Sequence, residues 1–270
     1  IQMPPTVSVV IPTYNRTELL PRAIESVLTQ TYTDLECIVV DGASTEDTQA
    51  VIDEYDDNRL RYFEHDENKS ASAGRNTGIR HSQGEYIAFL DDDDGWVTTK
   101  LKKQISAFDQ ASSDVGLIYC WMRYMKQSGE LIREYCPTYD GYIFPEMLDG
   151  QRIGNSSTLL VRRDVVEEVD GFDESLYRGN DGDFIRRICQ KYKVEYVPEL
   201  LVRYYVEHGH KRISEKDYEG IKQHINGQKI KFNKFERSLQ NHPVRAANLY
   251  GDIAYHYLLL GQWQSATKYY

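Results

Sequence analysis

The sequence predicts an α/β protein built on a parallel, doubly wound sheet with helices on both faces, followed by a C-terminal α-helical extension. Three observations carry that reading. Short apolar runs alternate with segments of helical periodicity through the first hundred residues, the pattern of successive β-α-β units. The apolar runs end in polar groups, at Thr13 with Asn15, at Asp41 and at Asp91 to Asp94. In an open parallel sheet such ends gather on one edge, where ligands bind. From about residue 215 the composition shifts to charged and aromatic helix, giving boundaries of 1–214 for the main domain and 215–270 for the extension.

Val7–Ile11 reads as a buried first strand, ended by Pro12, which cannot continue a central ladder. Leu20, Ile24, Val27 and Leu28 then recur at helical spacing. Leu35–Val40 is a second strand closing in Asp41-Gly42-Ala43. Ser44 with Asp47 resembles a capping arrangement for a helix whose apolar face is Thr48, Val51, Ile52 and Tyr55. Leu60–Phe63 is a third strand. Ala71–His81 is a helix carrying Arg75 and Asn76, and Gly84 breaks it before the strand that begins at Tyr86.

In the second half, Thr99–Phe108 reads as a helix, Val115–Cys120 as a strand, Gly129 as a hairpin turn and Ser157–Val161 as a strand. Arg163–Val169 is a short helix. Asp181 and Asp183 open another, where carboxylates suit the helix dipole. Leu201–Tyr205 is a last strand before His208 and His210. Beyond it, Ala246, Ala247, Tyr250, Ala254, Leu258–Leu260, Trp263, Ala266 and Tyr269 fit a tetratricopeptide-type hairpin or an amphipathic helix pair that covers the core. Either could dock a protein or membrane-complex partner.

A net charge of -10 argues against a general nucleic-acid binder. Cys37, Cys120, Cys136 and Cys189 form no C-x-x-C pair and read as reduced core residues of a cytoplasmic protein. No signal peptide or bilayer-length apolar run is present in the sequence. The expected location is cytoplasmic, extending to a peripheral place on the cytoplasmic face of a membrane. The strongest chemical signal is Asp91-Asp92-Asp93-Asp94 at the end of a strand. Carboxylates packed so closely repel, and oxygen-only ligands favour a hard cation, Mn2+ or Mg2+. The competing reading is a solvated acidic turn closed by Gly95.

Taken in order, Val7 to Arg16, Val39 to Thr48, Ala73 to Gly78 with Gly84 to Asp94, and Gly171 to Glu174 with Asn180 to Asp183 resemble the motifs of the family 2 glycosyltransferases. The resemblance covers about residues 6 to 214. It implies the GT-A fold, with a nucleotide-binding half over about 6–110 and an acceptor-binding half over about 111–214. It also implies inverting transfer of a sugar from a nucleotide donor, UDP-linked, to a hydroxyl of a glycan, lipid-linked or protein-linked acceptor. On this resemblance Pro12, Thr13, Tyr14 and Asn15 hold the nucleotide, Asp41 reads the uracil, and Arg75, Asp91 and Asp92 lie about the ribose and diphosphate. Asp93 and His208 bind the metal, with His210 as the fallback for His208. Asp181 is the catalytic base, and Trp96, Asn155 and Asp183 face the sugar or acceptor.

The chain departs from the family pattern in places. Gly42 stands where a second acid is common and Ala43 where Gly is common. The four-acid run leaves the D-x-D register open between Asp91 with Asp93 and Asp92 with Asp94; Gly84-Glu-Tyr-Ile favours the first. The segment Tyr205-Val-Glu-His208 lacks an arginine often found before the histidine. Two other classes stay open on the residues alone. One is a metal-dependent phosphohydrolase or nucleotidyltransferase, although no G-x-x-x-x-G-K-[ST] loop is present. The other is a non-catalytic module binding a nucleotide sugar or a protein.

Overall fold

The computed structural model describes residues 4–206, 209 and 217–269. Three successive units build the first half: β1 (Val7–Thr13) with α1 (Leu20–Leu28), β2 (Leu35–Asp41) with α2 (Thr48–Asp53), and β3 (Leu60–Glu64) with α3 (Ala71–His81). β4 (Tyr86–Phe89) completes a parallel block in the order β3-β2-β1-β4. Crossovers of this length need a helix to return the chain to the same sheet edge, which fixes the parallel sense.

Beyond β4 the expectation of a parallel sheet fails. The acidic run turns into a three-residue strand, β5 (Asp94–Trp96), and α4 (Lys100–Gln110) follows. β6 (Val115–Lys126) and β7 (Leu131–Tyr135) form the hairpin expected at Gly129, whose φ of 85° suits glycine. After the short α5 (Phe144–Met147) come β8 (Leu160–Arg162), α6 (Arg163–Glu168), α7 (Asn180–Cys189) and β9 (Lys193–Val206). β8 runs antiparallel to both β4 and β6, β9 parallel to β6, and β5 antiparallel to β9. Among the described residues the result is one mixed nine-stranded sheet. Cys37, Cys120 and Cys189 are buried as expected, but Cys136 is exposed, because it follows β7, which pairs only with β6.

Side chains alternate across the sheet as strand geometry requires. Val7, Val9 and Ile11 pack with residues of α1, α2 and α4 on one face. Val10, Ile87 and Phe89 pack with residues of α6 and α7 on the other. Helix α3 lies on that second face at unusually close range: a Cβ at Gly78 would sit 2.2 Å from Val10 Cγ1. This is what the glycines of the Ala73–Gly78 motif do, letting α3 press Arg75 in beneath the strand ends.

The extension consists of α8 (Tyr218–Lys234), α9 (Glu236–Gln240), α10 (Pro243–Leu259) and α11 (Trp263–Ala266). Ile221, Ile225, Phe235, Leu239, Leu249 and Ile253 form a third apolar cluster that also takes in Leu148 of the main body. Arg245 pairs with Asp149 at 3.0 Å and Lys234 with Asp173 at 2.7 Å. The helices therefore pack on the main body through Leu148, Asp149 and Asp173.

Candidate active site

The loops after β1 and β2 are built as one piece. Asn15 is left-handed, with φ of 50°. Its Oδ1 accepts from the Thr45 backbone N–H at 2.7 Å, and its own N–H donates to Ser44 Oγ at 2.8 Å. Asp41, at the end of β2, is buried. It accepts from Ser44 N and Oγ at 2.9 and 2.6 Å and from the Tyr62 hydroxyl at 3.1 Å. Ser44 thus ties Asp41 to the loop, while Asp47 supplies the cap of α2 by accepting from Ala50 N at 3.0 Å. Val40 and Gly42 line the cleft beside Asp41, along with Pro12, Thr13, Tyr14 and Asn15.

The four carboxylates divide into two sets. Asp92 accepts from Thr13 Oγ1 and Arg16 Nη1, both at 2.8 Å. Burial raises its carboxyl to about 6, against the pull of Arg16. Asp91, Asp93 and Asp94 each bring one carboxylate oxygen to within 4.8 Å of the others. Asp94 is fully buried. Its Oδ2 accepts from Ser157 Oγ at 2.7 Å, while its Oδ1 has no hydrogen-bond partner. Burial, then Asp93 and Asp91, push its carboxyl well above the usual range. Three converging carboxylates, one with an orphaned buried oxygen, are oxygen donors of the kind a hard divalent cation takes.

Arg75 connects this cluster to α7. Its Nη2 donates to Asp91 Oδ1 at 2.6 Å and to Ser156 Oγ at 3.2 Å, and its Nη1 lies 3.6 Å from Asp181 Oδ1. Burial opposes the guanidinium's charge, but Asp181 and Asp91 outweigh it. Asp181 Oδ2 accepts from Ser156 N at 3.4 Å. Burial raises its carboxyl, with Arg75 pulling the other way. Asn76, next to Arg75, clamps the Gly171–Glu174 loop: its Oδ1 accepts from Phe172 N and its Nδ2 donates to Phe172 O, both at 2.8 Å. The two motifs that carry Arg75 and Asp181 are therefore held together.

Pro12 to Asn15, Arg75, Asp91, Asp92, Asp93, Asn155 and Asp181 all line one cleft of about 730 Å3, the size of a small-molecule site. The other sequence candidates lie elsewhere. Trp96 is core, its indole N–H donating to Ser157 O at 2.8 Å. Asp183 is buried between Arg187 and Lys234, each at 2.8 Å, where it ties α7 to α8. His208 and His210 fall outside the described residues. Two contributors, Arg16 and Ser157, were missing from the sequence reading. Arg16 bridges Asp92 and Asp93 at 2.8 and 3.3 Å, and its signal was available as the cation next to the loop facing four acids. Asp94, the alternative D-x-D partner of Asp92, instead joins Asp91 and Asp93 in one cluster, and Ser157 links it to Asp91 by accepting from Asp91 N at 3.1 Å. Nothing in the local pattern around Ser157 marked it.

Fold and cleft define a sugar-transferring enzyme of the GT-A class. A family model described as glycosyl transferase family 2 matches residues 8–169, and the chain belongs to that family. An uncharacterised glycosyltransferase of Methanocaldococcus jannaschii is 31% identical over 208 residues, covering 74% of this chain and 70% of that protein. WfaP of Escherichia coli, a UDP-Glc:α-D-GlcNAc-diphosphoundecaprenol β-1,3-glucosyltransferase, is 41% identical over 99 residues, covering 37% of this chain and 39% of its own length. Among solved structures, S. aureus TarS 1-349 in complex with UDP-GlcNAc superimposes with a TM-score of 0.71 at 18% identity, covering 97% of this chain and 79% of that one. The mannosyltransferase PcManGT of Pyrobaculum calidifontis, in complex with GDP-Man and Mn2+, gives 0.66 at 18% identity, covering 99% and 74%.

Proposed function

We propose that this glycosyltransferase is a metal-dependent, inverting enzyme that moves a sugar from a UDP-linked donor to a hydroxyl of a lipid-linked or other glycan acceptor. The observation that carries this reading is the Arg75 bridge, which holds Asp181 beside the acidic cluster in one cleft. The UDP donor is supported by the names of WfaP and of the TarS complex, while the GDP-Man complex of PcManGT makes GDP the alternative to test. The lipid-linked acceptor is supported by WfaP. Among the described residues no helix is long and apolar enough to cross a membrane. Such an acceptor would reach the cleft from a membrane surface.

Asp91, Asp93 and Asp94 would hold a Mn2+ or Mg2+ ion, which when bound supplies positive charge to the departing diphosphate. Arg16 already offsets Asp92 and Asp93, so the loop after β1 keeps its shape beside that charge. Pro12 to Asn15 and the Val40–Gly42 edge form the wall for the base and ribose, and Asp41 holds that wall through Ser44. Beside that cluster, Asp181 takes the proton of the acceptor hydroxyl as its oxygen bonds to the anomeric carbon. The bond from that carbon to the diphosphate oxygen breaks with its electron pair, giving inversion. The products are the glycosylated acceptor and the nucleoside diphosphate, and Asp181 returns its proton to solvent. A carboxyl raised by burial suits this role, because a stronger base accepts the proton more readily.

Calorimetric titration with UDP and with GDP, each with and without Mn2+, tests the donor reading. Binding of UDP alone, strengthened by Mn2+ and losing that dependence in Asp93→Asn, is expected. Preference for GDP, or metal-independent binding, would overturn it.

A further inference from the structure

Helices α8 and α10 bring a second group of metal-type side chains together, well separated in sequence from the acidic cluster of the cleft. His224 and Gln228 stand one turn apart on α8, and Asp252 and His256 one turn apart on α10. The His224 Nε2 lies 2.7 Å from Asp252 Oδ2, and Gln228 Nε2 donates to the same oxygen at 2.6 Å. His256 Nδ1 is 3.4 Å from Asp252 Oδ1 and 2.8 Å from the Asp252 carbonyl, which fixes the ring. The two imidazoles sit 4.0 Å apart between centroids. One donor atom from each of His224, Asp252 and His256 lies within 4.8 Å of the other two.

We propose that His224, Asp252 and His256 form a binding site for a zinc-class divalent cation that fastens α8 to α10. Two nitrogens and one carboxylate oxygen are a ligand set for Zn2+ and its neighbours in the transition series, with a further position left for water. The same set is poor for Mg2+ or Ca2+, which require more oxygen ligands. Arg178 also interacts with Asp252, which disfavours a cation held by charge alone and leaves selection to the imidazoles. His224 lines the edge of the donor cleft, so the ion would stiffen the helical wall of that cleft. The inference is independent of the donor and acceptor proposed above.

The test is calorimetric Zn2+ titration of the full chain, stripped with chelator and kept in excess Mg2+ to occupy the acidic cluster. One equivalent of zinc is expected. A rise in Tm of about 5 °C is expected at free zinc one hundred times the dissociation constant. Asp252→Asn and His256→Gln should lose both effects, and Asp93→Asn should keep both. A measurement on the unsubstituted protein stands beside this in case either variant fails to fold. Zinc should protect His224 and His256 from carbethoxylation, read by peptide mass spectrometry, while His242 reacts unchanged. No zinc uptake, uptake that survives both variants or vanishes with Asp93→Asn, or histidines that react equally with and without zinc would overturn the proposal.

Discussion

Replacing Arg75 by Met tests the bridge that joins Asp91 to Asp181. The Arg75 side chain is 5% exposed, and its guanidinium lies 2.6 Å from Asp91 and 3.6 Å from Asp181. Methionine fills much of the same volume but removes the charge, leaving two part-buried carboxylates facing each other without a counter-ion. Breaking a buried pair from one side costs about 3–5 kcal/mol. With an unfolding entropy of about 2.1 cal/mol/K per residue, that is a fall in Tm of about 5–9 °C for a chain of this length. Arg75 is also the group that pulls the Asp181 carboxyl down. Its loss should raise that carboxyl further, and the acidic limb of the kcat–pH profile should move to higher pH, because the base must be ionised to act. Adding Asp181→Asn should recover part of the lost stability, with a coupling of about 0.5–3 kcal/mol. Differential scanning fluorimetry and a transfer assay across pH read all three effects. A Tm within about 1 °C of the parent, together with an unmoved acidic limb, would refute the bridge.

Other substitutions report on separate parts of the molecule. Ala43 has a φ of 62°, so Ala43→Gly should stabilise by about 1 kcal/mol in thermal melts; a lower Tm would contradict the strain. Asp183→Asn breaks a buried carboxylate from Arg187 and Lys234, and it should cost about 3 kcal/mol of stability with kcat and acceptor KM unchanged. A selective rise in acceptor KM would instead return Asp183 to the site. Lys231 is buried on α8, and burial, with Arg186 adding to it, lowers its ammonium from 10.5 to about 7. Between those values the unfolded chain holds a proton that the folded chain lacks, so stability rises with pH from about 7 to about 10. Lys231→Met should remove that component and gain about 2–4 kcal/mol at pH 6; parallel stability–pH curves for parent and variant would disprove it.

The parts of the structure legible in the sequence were those governed by local pattern. The Ala71–His81 helix and the first three strands follow from periodicity and from Pro and Gly breaks, and the observed bounds agree closely. Of the strand-end groups expected on one edge, Thr13, Asn15 and Asp91 to Asp93 line one cleft as strand parallelism implies, whereas Asp41 and Asp94 are buried behind it and do not line it. The second half was less legible because its elements are set by distant partners. Asp94–Trp96 is a strand only because β9 lies beside it, and β9 begins at Lys193, eight residues before the apolar run that marked it. The strand expected from Ser157 begins only at Leu160, because Ser157 and Thr158 lie in a 3-10 turn that draws Ser157 to Asp91 and Asp94. Trp96 and Asp183 show the limit of reading roles from motifs. Each sits among candidate site residues in sequence, yet alternation along the short strand and the helix turns both side chains into structural contacts.

The central claim, that Asp181 is the base of a sugar transfer, is tested most directly by measuring UDP affinity and transfer rate in the same preparation of Asp181→Asn. An unchanged dissociation constant for UDP with Mn2+ is expected, alongside a loss in kcat of about 10²–10⁴-fold. Transfer within about tenfold of the parent would place proton abstraction elsewhere, and the assignment of Asp181 would fall.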